Sequence, residues 1–179
     1  MSQQPDSAKP TRNEIIGAIA RRLSEQGRLG TGPLAELRRL DPAGALSEPT
    51  LHRLLTAVPE SWLYGDGLRR WALIVHAMAL AAPDALRATA RFGSVLFAAG
   101  FKEGRLVNLL DATSDELLTV LPRAVRFLVS RGQALNVFAL ADLVLSADQG
   151  DGGWSESVRQ RIAQDYYRAE ARKDTAEAA

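Results

Sequence analysis

Apolar residues recur three and four positions apart in segment after segment of this chain. Ile15, Ile16, Ile19 and Leu23 show the spacing near the N-terminus, and it returns as far along the chain as Tyr166. Side chains at these intervals share one face of an α-helix. We find no convincing run of alternating apolar and polar residues that would indicate a strand. The pattern therefore predicts helices and no sheet.

Capping motifs and helix breakers divide this pattern into separate elements. Thr11 with Glu14, and Thr113 with Glu116, have the spacing of capping boxes. Asn136 is a further candidate cap, and proline or glycine separates most of the segments. The apolar faces predict helices near residues 15–23, 33–40, 51–58, 68–79, 86–99, 106–110, 117–128, 137–145 and 155–166.

About nine helices with short connections predict an all-α bundle in two packed halves. The 179 residues suit one domain, which we expect over residues 11–168. The break Gly65-Asp66-Gly67 would divide it into halves 11–64 and 68–168. The polar segment 1–10 is expected to be a disordered tail, and the charged, alanine-rich segment 169–179 to be frayed.

Several kinds of catalytic chemistry have no counterpart in the sequence. The chain has no cysteine, which excludes disulfides, thiolate metal sites and a cysteine nucleophile. Its two histidines are His52 and His76, and His76 lies within an apolar helix where a structural role is expected. No phosphate-binding loop and no nucleophile elbow is present. We therefore expect a protein that is not an enzyme and has no metal and no cofactor.

Arginine dominates the basic residues, although the net charge is only +1. Lys9, Lys102 and Lys173 are the lysines among the 22 basic residues, so the other 19 are arginine. A guanidinium group presents a planar fork of donors that matches phosphate. A GC-rich genome would produce the same bias, and both explanations can hold.

The segment from Leu117 to Ala141 contains arginines but no acidic residue. On a helical wheel its leucines fall on one side, and Thr119, Arg123, Arg126 and Ser130 fall on the other. Such a stripe can hydrogen-bond a nucleic-acid backbone without reading its sequence. A merely solvated helix face is the alternative interpretation.

Trp62, Trp71 and Trp154 could in principle stack on nucleic-acid bases. Trp71 has helical spacing with Leu68 and Val75, which predicts a core position. Trp154 follows a glycine-rich loop and is expected to pack on the last helix.

Short motifs follow one another in the order found in a known family. The most specific is Gly100-Phe101-Lys102-Glu103-Gly104-Arg105, followed by leucines at 106, 109 and 110. It resembles a motif of that family in which a glycine is followed by Glu-x-Arg and then by a pair of leucines. The other motifs are Leu-Ala-Glu-Leu-Arg-Arg at 34–39 and the segments 50–55, 71–77, 126–128, 135–137 and 164–167.

This succession resembles the CasB family, the small subunit of the type I-E CRISPR surveillance complex Cascade. The resemblance covers roughly residues 30–168. The family often has Asp-Trp where Asn136-Val137 stands here, and the first 29 residues match little.

The resemblance implies a non-catalytic helical subunit that stabilises the R-loop between guide RNA and target DNA by arginine contacts to nucleic-acid backbone. Its implied partners are the guide crRNA, the target DNA, the backbone and large subunits of Cascade, and a second copy of itself. The residues that match basic positions of the family are Arg38, Arg39, Arg53, Arg105 and Arg126. Charge and wheel position add Arg91, Lys102, Arg123 and Arg131.

Three alternatives stay open at this point. The chain could be a helical protein–protein adaptor without a nucleic-acid role, or a helical enzyme whose site the sequence does not reveal. The pair of short helices near residues 33–40 and 50–58 faintly suggests a helix-turn-helix regulator. Residues 1–14 are polar, and the apolar run 71–82 is too short to span a bilayer, so we expect a soluble cytoplasmic protein.

Overall fold

The structure, a computed structural model, describes residues 10–24, 29–87, 89–147 and 153–178. Within these ranges nine helices and two two-residue strands form the fold, which confirms the predicted all-α class. The helices are α1 (Arg12–Leu23), α2 (Thr31–Arg39), α3 (Pro49–Leu55), α4 (Gly67–Ala81), α5 (Phe92–Ala98), α6 (Glu103–Asp111), α7 (Ser114–Ser130), α8 (Val137–Ser146) and α9 (Gly153–Glu177). The strands are β1 (Leu86–Arg87) and β2 (Leu135–Asn136), and a 3₁₀ turn covers Glu60–Trp62. Residues 1–9 of the expected tail lie outside the described ranges.

The predicted caps are confirmed. The Thr11 hydroxyl accepts a hydrogen bond from the Glu14 backbone N–H, and the Glu14 carboxylate accepts one from the Thr11 N–H. Thr113 and Glu116 repeat this arrangement at the start of α7. Asn136 caps α8 by accepting from two backbone N–H groups. Each cap satisfies donors that the first helical turn leaves free.

Helix α4 lies at the centre of the core. Every residue from Trp71 to Ala79 is buried, because α1, α2, α3, α7 and α8 all pack on it. The buried apolar side chains form one contiguous cluster that runs from Ile15 in α1 to Tyr166 in α9. The cluster therefore crosses the Gly65-Asp66-Gly67 break.

The predicted helix that includes Leu86 is wrong. Leu86 lies in β1, which pairs in parallel with β2, and the helix begins only at Phe92. The Leu135 N–H donates to the Ala85 carbonyl at 2.6 Å, so backbone groups that a helix would use are bound to a distant segment. The expectation of no sheet thus misses one short parallel pair.

The two longest central helices, α4 and α7, run in the same direction. Residues from the first turns of both, Arg69 and Asp115 among them, line one small cleft. The strands that follow the two helices then pair in parallel. The C-terminal ends of α4 and α7 therefore lie on the same side of the molecule.

Helix α9 packs along α5 and continues beyond the predicted end of the domain. Gly93 in α5 approaches the backbone of α9 at Ile162 so closely that a β-carbon would overlap the carbonyl oxygen. After Arg168 the helix runs on to Glu177, where we expected a frayed end, and its last turns are exposed. No described helix is both long enough and apolar enough to cross a membrane.

Candidate nucleic-acid interface

Helix α7 separates apolar and basic side chains as its sequence predicts. Leu117, Leu121 and Leu128 are buried, whereas Arg123 and Arg126 are exposed. The two arginines are three positions apart and thus neighbours on the helix surface. The folded chain therefore presents both to solvent from a helix whose opposite side is fixed in the core.

A second pair of arginines lies beside the first and shares one aromatic ring. The guanidinium carbon of Arg105, from α6, is 5.6 Å from the centroid of Phe127, and that of Arg131 is 5.4 Å from it. Phe127 itself contacts Phe101 with a centroid distance of 5.6 Å, which ties it to the core. Cation–π contacts of this kind hold a guanidinium in place without using its N–H donors. We call Arg105, Arg123, Arg126 and Arg131 the arginine face.

Carboxylates do not neutralise this surface in the described part of the chain. Ion pairs join Arg12 to Asp142 at 2.8 Å and Arg91 to Asp165 at 3.4 Å, and in the described ranges no residue of the arginine face belongs to one. Lys102 is exposed next to Arg105, one turn before it, and adds a further cation. The face thus combines fixed positive charge with donors suited to phosphate oxygens.

Arg38 contacts the protein itself. Its Nε donates to the Ala79 carbonyl at 3.0 Å, and its Nη2 donates to the Ala82 carbonyl at 2.6 Å. These carbonyls belong to the C-terminal end of α4, where backbone acceptors have no helical partner. Arg38 therefore anchors α2 on α4, near the end of the arginine face.

The remaining sequence-predicted arginines lie on other elements. Arg39 donates to the Ala35 carbonyl of its own helix, and Arg91 is held by Asp165 across the α5–α9 contact. Arg53 is exposed on α3 near Glu36. Hydrogen bonds from the backbone and side chain of Thr50 lower the pKa of Glu36, with a smaller contribution from Arg53.

His76 is the structural residue that its sequence position predicts. It is 2% exposed, and its Nδ1 lies 2.9 Å from the Leu37 carbonyl, which requires the proton to be on Nδ1. Burial lowers the pKa of His76; the hydrogen bond to Leu37 raises it in part, and the nearby charge of Arg126 lowers it. Within the described ranges no group of three or more histidine or acidic side chains could hold a metal ion.

Phe127 is the residue of this site that the sequence analysis overlooked. Its spacing of four from Arg131 was a usable signal, because residues i and i+4 meet on a helix surface. The contact with Arg105 had no such signal, since it joins two helices.

Comparison with known proteins identifies the family. The sequence model of CRISPR-associated protein Cse2 matches residues 33–167, which is more than half of the chain. The chain belongs to the Cse2 family. Cse2 is the small subunit of type I-E Cascade, also named CasB, so the predicted family is confirmed and with it the role of a Cascade subunit. Neither a search of curated proteins nor a search of solved structures found a match.

Proposed function

We propose that this Cse2 chain stabilises the R-loop of an assembled Cascade complex, with the arginine face binding nucleic-acid backbone. In this proposal its partners are the guide RNA, the target DNA, the backbone and large subunits, and a second copy of the chain. It acts in the cytoplasm and catalyses no reaction. Base pairing with the guide RNA supplies the sequence specificity, as in RNA-guided recognition generally.

The arrangement around Phe127 supports the proposal most directly. Two guanidinium groups from different helices are held against one ring. Arg123 and Arg126 add two further guanidinium groups that are exposed on α7. Phosphates repeat along a strand, so a row of fixed guanidinium groups can follow a backbone whatever its sequence. Lys102 extends this row, whereas Arg38 would act mainly by fixing α2 against α4.

The first test removes two members of the arginine face, Arg105→Ala with Arg126→Ala, in the assembled complex. Because phosphate contacts carry no base code, R-loop lifetime should fall by a similar factor on two unrelated target sequences. We expect a loss of about tenfold, which corresponds to about 1.4 kcal/mol. Subunit stoichiometry should be unchanged, since both side chains are exposed.

A matched control removes two exposed arginines of α1 and α9, Arg22→Ala with Arg172→Ala. This complex has the same change in net charge and should keep the wild-type lifetime. Equal lifetimes for the two double variants would reject the arginine face as the contact. Failure of the Arg105/Arg126 variant to enter the complex would favour the adaptor interpretation.

A further inference from the structure

A second surface with nucleic-acid chemistry lies at the other end of α4. A cavity of about 590 Å³ opens between α1, the segment after the 3₁₀ turn, the first turns of α4, and the start of α9. Its volume lies within the range of about 300–1,000 Å³ that small-molecule sites occupy. Arg70, which lines it, is nine residues before Ala79, or about 13 Å along the helix. No described residue that lines the cavity belongs to the arginine face.

Aromatic rings form much of its wall. Trp62 stacks on Trp71 with a centroid distance of 6.3 Å and an angle of 10° between the ring planes. Trp71 is 1% exposed, so it holds the inner face of Trp62 in place, yet Trp62 remains 40% exposed. Tyr64, beside it, is 68% exposed. Two large aromatic side chains are thus exposed at a cavity, one of them fixed in orientation by a core residue.

The charged side chains of the cavity favour an electron-rich, planar guest. Among the described residues, Arg12 and Arg70 line it together with one carboxylate, Asp66. Arg12 lies 4.8 Å from the Trp154 centroid and is paired with Asp142, so it is fixed in place. Arg70 donates from Nη1 to the Leu145 carbonyl at 3.5 Å, a long contact, and a guanidinium carries five N–H donors. Arg70 can therefore bind a further acceptor.

We propose that this cavity takes one unpaired base of the displaced DNA strand, stacked on Trp62 and Tyr64, with Arg70 binding the adjoining phosphate. Aromatic side chains stack on any base, and each such contact is worth roughly 1–3 kcal/mol. In an R-loop the displaced strand is the one whose bases have no partner. This inference rests on the proposed function, because the R-loop brings that strand to the subunit.

A protein side chain is the main rival occupant, because tryptophan, tyrosine and arginine are also frequent at the centres of protein interfaces. Arg70 favours the nucleotide, because its unused N–H donors can bind the phosphate beside a base stacked on the exposed rings.

The test compares assembled complexes on two targets whose displaced strand cannot pair again with the target strand. One displaced strand carries mismatched bases, and the other is abasic over the same length, so both keep every phosphate. The R-loop lifetime of the wild-type complex should be about tenfold longer with the strand that carries bases than with the abasic strand. Trp62→Ala and, separately, Tyr64→Ala should lower the lifetime on the strand with bases and leave the abasic lifetime unchanged.

The Arg105/Arg126 double variant separates this proposal from the proposed function. This variant should shorten the R-loop lifetime by a similar factor with the strand that carries bases and with the abasic strand. The ratio of the two lifetimes should therefore stay at its wild-type value. Equal lifetimes of the wild-type complex on both strands would overturn the cavity proposal and leave the arginine face untouched. The cavity proposal would also be overturned if the variants at Trp62 and Tyr64 kept the wild-type ratio of the two lifetimes. If both variants fail to enter the complex, the cavity is a protein contact and the proposal is wrong.

Discussion

Neighbouring arginines in this chain have different surroundings, which one sequence motif cannot distinguish. Arg38 and Arg39 are adjacent, and the resemblance assigned both to basic positions of the family. Arg38 donates to two carbonyls at the end of α4, whereas Arg39 donates to the Ala35 carbonyl of its own helix. An arginine that anchors two helices and an exposed arginine thus leave the same signal in the sequence.

The buried histidine gives the chain a predictable response to acid. In the folded state burial lowers the pKa of His76, the hydrogen bond to Leu37 offsets part of this effect, and the charge of Arg126 opposes protonation more than Asp41 favours it. In the unfolded state the pKa is about 6.5. The unfolded chain therefore takes up a proton first as the pH falls. This stabilising contribution is complete above about pH 6.5 and is lost towards the lower folded-state pKa.

Urea unfolding at about pH 7.5 and about pH 5.5 checks this expectation. The wild-type chain should lose stability on acidification, and each unit of difference between the two pKa values accounts for about 1.4 kcal/mol. His76→Asn keeps a side-chain N–H but cannot titrate, so its stability should change less between the two conditions. Equal losses for both proteins would show that His76 is not the group responsible.

Among the helices and strands, the sequence predicted those features that depend on residues close to one another in the chain. Caps such as Thr113 with Glu116 join positions three apart, and the apolar face of α7 repeats within one helix. The β1–β2 pair joins Leu86 to Leu135 across 49 positions, and no local pattern at Leu86 indicates it. For the same reason the Arg105–Phe127 contact and the aromatic cavity emerged only from the fold.

The close contact between α5 and α9 depends on Gly93. A β-carbon there would overlap the Ile162 carbonyl oxygen, so Gly93→Ala must push the helices apart. Overpacking of this kind costs about 1–3 kcal/mol, and we expect the upper part of that range. The free energy of unfolding from denaturant titration measures the loss.

Gly104→Ala is the matched control for that variant. Gly104 lies exposed in α6 with no atom within 4 Å of an added β-carbon. Alanine is the better helix former by up to about 1 kcal/mol, so stability should stay equal or rise. A Gly93→Ala protein as stable as the Gly104→Ala protein would contradict the close approach of α5 and α9.

At the scale of the whole molecule, one core supports two separate surfaces. The arginine face lies along α6 and α7, and the aromatic cavity lies at the start of α4. The wheel of α7 was enough to predict the orientation of Arg123 and Arg126. The sequence alone did not show which other basic residues lie near Arg123 and Arg126, because that depends on how six or more helices pack together.

If the arginine face binds phosphates, the salt dependence of R-loop stability will report the number of these contacts. Each phosphate contact with a single strand contributes about −0.7 to the slope of log K against log salt. The Arg105→Ala/Arg126→Ala complex should therefore show a slope that is shallower by about 1.4. When the salt concentration rises fourfold, the ratio of the wild-type to the variant equilibrium constant should fall by about sevenfold. Parallel lines for the two complexes, at full stoichiometry, would contradict the account.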